Sequence, residues 1–347
     1  MSEDRRPIRV ALGGLGTIGL ATARLLTEYR PEAEIVAAAS KDPAQVGCWL
    51  GELTGLAAPG PQVVGSLEEM VASRPQVVLL STGSFMAEVT PQVLTCVRAG
   101  ANVISPCEEL AFPFRRFPGQ AAEIEKSARE SGVTVVGTGL NPGLIFDSLL
   151  AAATGASWDV TRIFGRRVVD VTGFGENIHL RLGIGYTLEE FEEGHRTASI
   201  AGHVGFPESI EIVCERLGVL LDAAVEQSFE PLIASSPVPT KYGAVPAGKT
   251  EGFVQRAVGR ARGSDFIKVE LVLHLRPRQA GFVPSDSFTI EGKALIHITI
   301  EPGLDPVAAT SAQLVNSIPG VLAATPGLKT VKDIPAPAAW LGSALLR

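Results

Sequence analysis

A mostly apolar run, Ile8 to Leu12, passes without a break into Gly14-Leu15-Gly16-Thr17-Ile18-Gly19, and a helical pattern follows as far as Arg30-Pro31. Few folds accommodate that order. The run reads as a short buried strand; Gly14 permits a tight turn, Gly16 lets the backbone approach a pyrophosphate, and Gly19 lets the helix pack closely on the strand. The first amides and the dipole of the helix then attract the anion. With 37 glycines in the chain the spacing alone is a weak signal. The strand before it and the helix after it make it a dinucleotide signal.

The next elements extend the pattern. Glu34 to Ala39 reads as a second buried strand and is followed by Ser40-Lys41-Asp42. An acid directly after this strand would accept hydrogen bonds from the adenosine ribose of NAD, whereas a hydroxyl and a cation suit a 2′-phosphate. NADP is therefore preferred. NAD is the alternative, with Asp42 on the ribose and Lys41 a solvated surface charge. Ser66-Leu-Glu-Glu69 is a capping box, and Pro75 to Leu80 is a strand that ends in Ser81-Thr82-Gly83-Ser84. That loop lies at the carboxyl edge, where it either lines the cofactor or forms an ordinary turn into a helix.

Thr90-Pro91 predicts a helix start, with Gly100 closing the helix. Asn102 to Ser105 is a further strand, leading to Pro106-Cys107-Glu108-Glu109. Neighbouring side chains in an extended segment point to opposite sides, so one of these two carboxylates faces a cleft. A helix near Ala121 to Arg129 and a strand Val133 to Val136 lead to Gly137-Thr-Gly-Leu-Asn141-Pro142-Gly143. Such alternation predicts an α/β, doubly wound parallel sheet.

From about Gly155 the pattern changes to long alternating runs. In Lys268 to Arg276, Val269, Leu271, Leu273 and Leu275 share one face, and Lys268, Glu270, Val272, His274 and Arg276 share the other. Ala294 to Ile300 repeats the alternation. This predicts a mixed, largely antiparallel sheet with one apolar and one mostly polar face. Two helices interrupt it, one capped by Thr187-Leu-Glu-Glu190 and one near Glu208 to Leu217, and a last helix from about Val307 to Asn316 precedes Ile318-Pro319-Gly320 and a proline-rich tail. Residues 1–150 are expected to form a dinucleotide-binding domain on which the segment from about 305 to 347 packs back, and 151–304 a substrate and dimerisation domain.

Composition narrows the function classes. A net charge of −7 argues against a nucleic-acid surface. No apolar stretch approaches the roughly 20 residues of a bilayer helix, and the polar Met1 to Arg6 start does not resemble a signal peptide, so a soluble cytoplasmic protein is expected. Cys48, Cys96, Cys107 and Cys214 form no CxxC pair, and the five histidines show no helical metal spacing, so no metal site is expected. His274 and His297 read as structural. His203, in Gly202-His-Val-Gly205, stands beside a glycine turn from which it can reach a substrate.

Taken together, several stretches resemble the 2,4-diaminopentanoate dehydrogenases and the related native amine dehydrogenases, similar in fold to dihydrodipicolinate reductase. They are Gly14 to Gly19, Asn102 to Leu110, Gly137 to Gly143 with Asp147, Gly202 to Ser209, and Val315 to Gly320 with Pro326-Gly-Leu328. The resemblance implies that Glu108 is the catalytic carboxylate, that Asn141-Pro142 lies beside the nicotinamide, and that Ile145 and Phe146 help set which carbonyl fits. It also implies a substrate pocket between the domains and a homodimer through the second domain's sheet. Relatives often carry Asp where this chain has Ser40, a departure that weakens NAD selection.

The activity expected is NAD(P)-dependent amine dehydrogenation, with reductive amination of an aldehyde or ketone by ammonia as its reverse. An amino-acid-type substrate such as 2,4-diaminopentanoate is the alternative; its carboxylate would need an arginine, from Arg162, Arg166, Arg167 or Arg181. A non-catalytic NADP-binding sensor is the alternative of another class.

Overall fold

In the computed structural model, residues 6–197, 199–200 and 202–339 are described, so Met1 to Arg5 and the end of the C-terminal segment, 340–347, lie outside the described residues. The chain divides into two compact units, residues 1–148 with 305–347, and residues 149–304.

The first unit opens with β1 (Ile8–Gly13), α1 (Thr17–Tyr29), β2 (Ala33–Ala39), α2 (Leu50–Thr54), β3 (Val63–Val64) and α3 (Leu67–Val71). It continues with β4 (Val77–Leu80), α4 (Met86–Arg98), β5 (Asn102–Ser105), α5 (Pro118–Ser131) and β6 (Thr134–Gly137). These strands are parallel, and the order across the sheet, counting a last strand contributed from the C-terminal segment, is β15-β6-β5-β4-β1-β2-β3. The order reverses at β1, which places a ligand crevice at its carboxyl end. Val10 and Leu12 pack on one face with Leu26 of α1, and Ala11 packs on the other with Val89 and Val93 of α4. Both faces are covered, so the strands read as continuous apolar runs.

The second unit comprises α6 (Leu150–Thr154), β7 (Arg162–Asp170), α7 (Glu176–Arg181), α8 (Leu188–Arg196) and α9 (Phe206–Arg216). Then come β8 (Glu226–Ile233), β9 (Val238–Thr240), β10 (Gly243–Val245), β11 (Thr250–Ala261), β12 (Ser264–His274), β13 (Ser285–Glu291) and β14 (Ile296–Ile300). Its main sheet runs β14-β13-β7-β12-β11-β8, and β12 with β7 is its one parallel pair. The Thr187 capping box closes as expected, with Thr187 Oγ1 accepting from Glu190 N–H at 3.1 Å and Glu190 accepting from Thr187 N–H at 2.7 Å. Back in the first unit, α10 (Pro306–Asn316), α11 (Ile318–Ala323) and β15 (Gly327–Lys329) complete the order.

One expectation is corrected. Helix α4 starts at Met86 rather than at Thr90-Pro91; the Thr90 hydroxyl bonds back to the Met86 carbonyl, and Pro91 lies inside the helix. Ile318-Pro319-Gly320, beyond the expected last helix, opens a further short helix, α11, in whose first turn proline is tolerated because an N–H there has no helical partner. The mostly polar face of β12 is largely buried. Glu270 is 4% exposed and His274 is buried, and the two Glu270 oxygens accept from Arg166 Nε and Arg256 Nε, each at 2.7 Å. The charges satisfy one another across strands. Helix α7 adds a short element not expected from the sequence.

Candidate cofactor and catalytic site

At the end of β1 the backbone turns through Gly14 at φ +87°, in the left-handed region that favours glycine. A Cβ on Gly19 would collide with the Gly14 carbonyl oxygen, so the first turn of α1 rests on the turn that precedes it. Gly16 is the N-cap, and a Cβ there would meet nothing within 4 Å. No side chain caps α1 and its first turn carries no acid. That arrangement fits a dinucleotide pyrophosphate. Thr17 is exposed and Ile18 partly so, whereas Leu15 is buried and offers a ligand only its backbone.

A cavity of about 640 Å³ opens over this turn, lined by Gly14, Gly16, Ser40, Lys41, Ser81 and Thr82 among others. Gly14 N–H donates to Ala39 at 2.9 Å and Ser81 N–H to Gly13 at 2.7 Å, so backbone bonds join the loops after β1, β2 and β4. Gly83 sits beside the Glu88 carboxylate, which a Cβ there would meet at 2.8 Å. Ser40 lines the cavity, yet its hydroxyl donates to Gln45 Oε1 at 2.6 Å and accepts from Asp42 N–H at 3.1 Å. Lys41 and Asp42 are exposed beside it.

After β5 the chain is not extended. Glu108 adopts helical angles, φ −63° and ψ −44°, and Glu109 opens a 3₁₀ turn, Glu109–Ala111. The two carboxylates separate because the turn rotates one away from the other. Glu109, 6% exposed, accepts from Met86 N–H at 2.7 Å and pairs with Arg116 at 3.3 Å, while Glu108 is half-buried. This contact starts α4 where the local sequence did not indicate a start. Burial first, and the nearby Glu108 and Glu109 charges among the smaller influences, push the Cys107 thiol up to about 12.

The loop after β6 is held from two sides. Asp147, fully buried, accepts from Gly143 N–H at 2.7 Å and Ser148 N–H at 2.6 Å, and Thr310 of α10 accepts from Leu140 N–H at 3.3 Å. Asn141 is half-buried and Pro142 buried between these anchors. Ile145 and Phe146 are buried in a π-helical turn, Ile145–Leu149. Gly137 at the end of β6 lies against Ala111, which brings the loops after β5 and β6 together.

In the second unit, the backbone of His203 exchanges two hydrogen bonds with the Gln255 amide, at 2.7 and 2.8 Å, and its ring meets Phe206 edge-on at 4.7 Å. Desolvation first, then the Arg167 charge, lowers its pKa to about 3, so the ring is neutral at ordinary pH. His274 Nδ1 accepts from Arg276 N–H, and His297 lies between Thr289 and Thr299. Of the arginines, Arg162 pairs with Glu291, Arg166 with Glu270 and Arg167 with Asp286, and Arg181 is exposed. Among the described residues no group of three or more His, Cys, Asp or Glu is arranged to hold a metal, and no helix is long and apolar enough to cross a membrane.

Sequence reasoning missed Gln45, the anchoring role of Glu109, and Thr310. Asp147 carried a motif but no role. None of these has a local signal, because each acts on a partner elsewhere in the chain.

The family model of the 2,4-diaminopentanoate dehydrogenase C-terminal domain matches residues 144–346. The 2,4-diaminopentanoate dehydrogenase of Acetoanaerobium sticklandii is 37% identical over 281 residues, 81% of this chain and 80% of that protein. The fold is similar to that of an amine dehydrogenase from Mycobacterium smegmatis, with a TM-score of 0.83 at 24% identity over 97% of this chain and 98% of that one. A more distant likeness, TM-score 0.59 at 16% identity over 95% and 93% of the two chains, is to scyllo-inositol dehydrogenase from Lactobacillus casei. With a family model spanning more than half of the sequence and a relative at 37% identity, the chain belongs to the 2,4-diaminopentanoate dehydrogenase family of oxidoreductases.

Proposed function

We propose that this enzyme interconverts an amine with an aldehyde or ketone plus ammonia, using NADPH or NADH, and that Glu108 is its catalytic carboxylate. The reading is supported by the neighbouring acid: Glu109 is committed to the α4 amide and Arg116, which disfavours it as the reacting carboxylate and supports Glu108. When bound, the nicotinamide supplies a hydride acceptor for deamination and a hydride donor for amination. The glycine turn and the α1 N-terminus would hold the pyrophosphate, with Ser81, Thr82 and Gly83 along its path and Asn141-Pro142 beside the ring.

Glu108 serves two needs. As a general base it takes a proton from ammonium, so that neutral ammonia attacks the carbonyl carbon. As a fixed negative charge it stabilises the iminium that forms when water leaves and that hydride then reduces. In the aminating direction a carbonyl, ammonium, reduced cofactor and one proton give the alkylammonium, oxidised cofactor and water.

Three of the four arginines considered for a substrate carboxylate already pair with acids, which favours an uncharged carbonyl or a plain amine. A second reading, 2,4-diaminopentanoate itself, is favoured by the 37% identity to an enzyme of that name. Lys41 supports use of NADP, and Asp42 is the group that would serve NAD. Ile145 and Phe146, buried in the turn that follows Asn141-Pro142, would help set which carbonyl fits, and His203 would act toward substrate as a neutral group. The enzyme is expected to act in the cytoplasm as a homodimer through the sheet of its second unit.

The test is a carbonyl panel with NADPH or NADH, with and without ammonium, followed at the nicotinamide absorbance, and the reverse assay with amines including 2,4-diaminopentanoate. Oxidation that requires ammonium supports the reading. Oxidation by carbonyl alone would mean alcohol chemistry, and silence with tight cofactor binding would mean a sensor.

A further inference from the structure

Gln45 ties two loops of the crevice together. Its Nε2 donates to the Leu15 carbonyl inside the glycine turn at 3.2 Å, and its Oε1 accepts the Ser40 hydroxyl directly after β2 at 2.6 Å. A serine hydroxyl has a single proton to donate, and here Gln45 takes it. Asp42 N–H donates to the same oxygen, and Ser40 is only 8% exposed. Lys41 and Asp42 remain exposed in the cavity wall, one cation and one carboxylate, with the Asp42 Oδ1 accepting from Ala44 N–H at 2.9 Å.

We propose that Gln45 is a positioning residue that sets the choice between NADPH and NADH. By taking the Ser40 proton it withholds from a 2′-phosphate the hydroxyl donor at the strand end, which leaves discrimination to Lys41 against Asp42. By holding Leu15 it keeps the pyrophosphate turn and the ribose loop in one register. A carboxylate accepts a ribose 2′-hydroxyl and a cation pairs with a 2′-phosphate, so this loop admits both cofactors. The inference rests on the dinucleotide reading of the crevice proposed above.

The experiment titrates NADH and NADPH into the full chain by nicotinamide fluorescence, for wild type, Gln45→Met, Ser40→Ala and the double variant, with a melting temperature for each. Methionine keeps the length of the side chain and removes both hydrogen bonds. Gln45→Met is expected to weaken NADH binding about threefold and to shift the Kd ratio toward NADPH by about threefold to tenfold, the weight of one freed hydroxyl on a phosphate. Ser40→Ala alone should move the ratio less than twofold, and in the double variant the ratio should return to within about twofold of wild type, since the two residues act as one unit. An unchanged ratio in Gln45→Met, or a shift that persists without the Ser40 hydroxyl, overturns the proposal. Should Gln45→Met fail to fold, Gln45→Ala gives the same comparison. Wild type binding neither dinucleotide would instead remove the reading of the crevice itself.

Discussion

Glu109 and Met86 stand 23 residues apart in sequence and are joined by a 2.7 Å hydrogen bond from the Met86 N–H to the Glu109 carboxylate. The acid therefore acts as the N-terminal cap of α4, a role that local sequence assigns to a residue just before the helix. The two neighbouring glutamates should consequently fail in different ways. Glu108→Gln is expected to lower kcat by at least about 100-fold, the usual scale of a lost general base, with cofactor Kd and melting temperature nearly unchanged. Glu109→Ala should lower stability by about 1–3 kcal/mol, because it orphans a buried amide and removes the carboxylate that pairs with Arg116. Steady-state kinetics beside denaturant unfolding separates the two; a Glu108→Gln enzyme of near-normal turnover would end the assignment.

The glycine turn offers a second contrast. Gly16→Ala places a methyl in open space, so the fold should survive with a melting temperature close to wild type, while on the proposed dinucleotide reading affinity should fall at least tenfold, since the methyl would stand where the pyrophosphate is expected. Gly19→Ala drives a methyl into the Gly14 carbonyl and should destabilise the fold with or without cofactor. Thermal melts with and without NADPH check both.

His203 makes stability depend on acid. Its folded pKa, about 3, lies below the ordinary 6.5, so the folded state binds fewer protons than the unfolded chain between those values. Stability should fall as pH drops from about 7 toward 3, with a contribution of at most about 1.4 kcal/mol per pH unit, and this residue should add almost no slope above about pH 8. Urea unfolding of wild type and His203→Gln at pH 7.5 and pH 5 measures the difference. Equal losses in the two proteins would contradict it.

Glu270 binds two arginines at once. Glu270→Met should cost about 1–3 kcal/mol, less than a fully enclosed pair, because the Arg166 and Arg256 side chains are 42% and 30% exposed and can turn to water. Replacing all three by apolar residues should recover part of the loss. Guanidinium midpoints of the single and triple variants test this.

Residues 8–30 were legible because every local preference agrees: an apolar strand, glycines at the turn, and a helix behind them. Thr90-Pro91 misled because a distant carboxylate had already opened α4 four residues earlier. The alternation in β12 assigned its faces correctly but not their surroundings, since whether Glu270 meets water or arginine depends on β7 and β11 beside it. The loop after β2 was half legible. Ser40 and Lys41 were visible as chemistry, but the bond that occupies the Ser40 hydroxyl comes from Gln45, which no motif marks.

β15 completes the parallel sheet beside β6 using residues that emerge from the ribosome some 190 positions after its neighbour. The nucleotide-binding half therefore stays unfinished, with the outer side of β6 uncovered, throughout synthesis of the intervening unit. Long-range closure of this kind is slow and leaves an unpaired edge that other chains can join. Chains that stall before Gly327 should thus aggregate more during expression than chains long enough to pair β15 with β6.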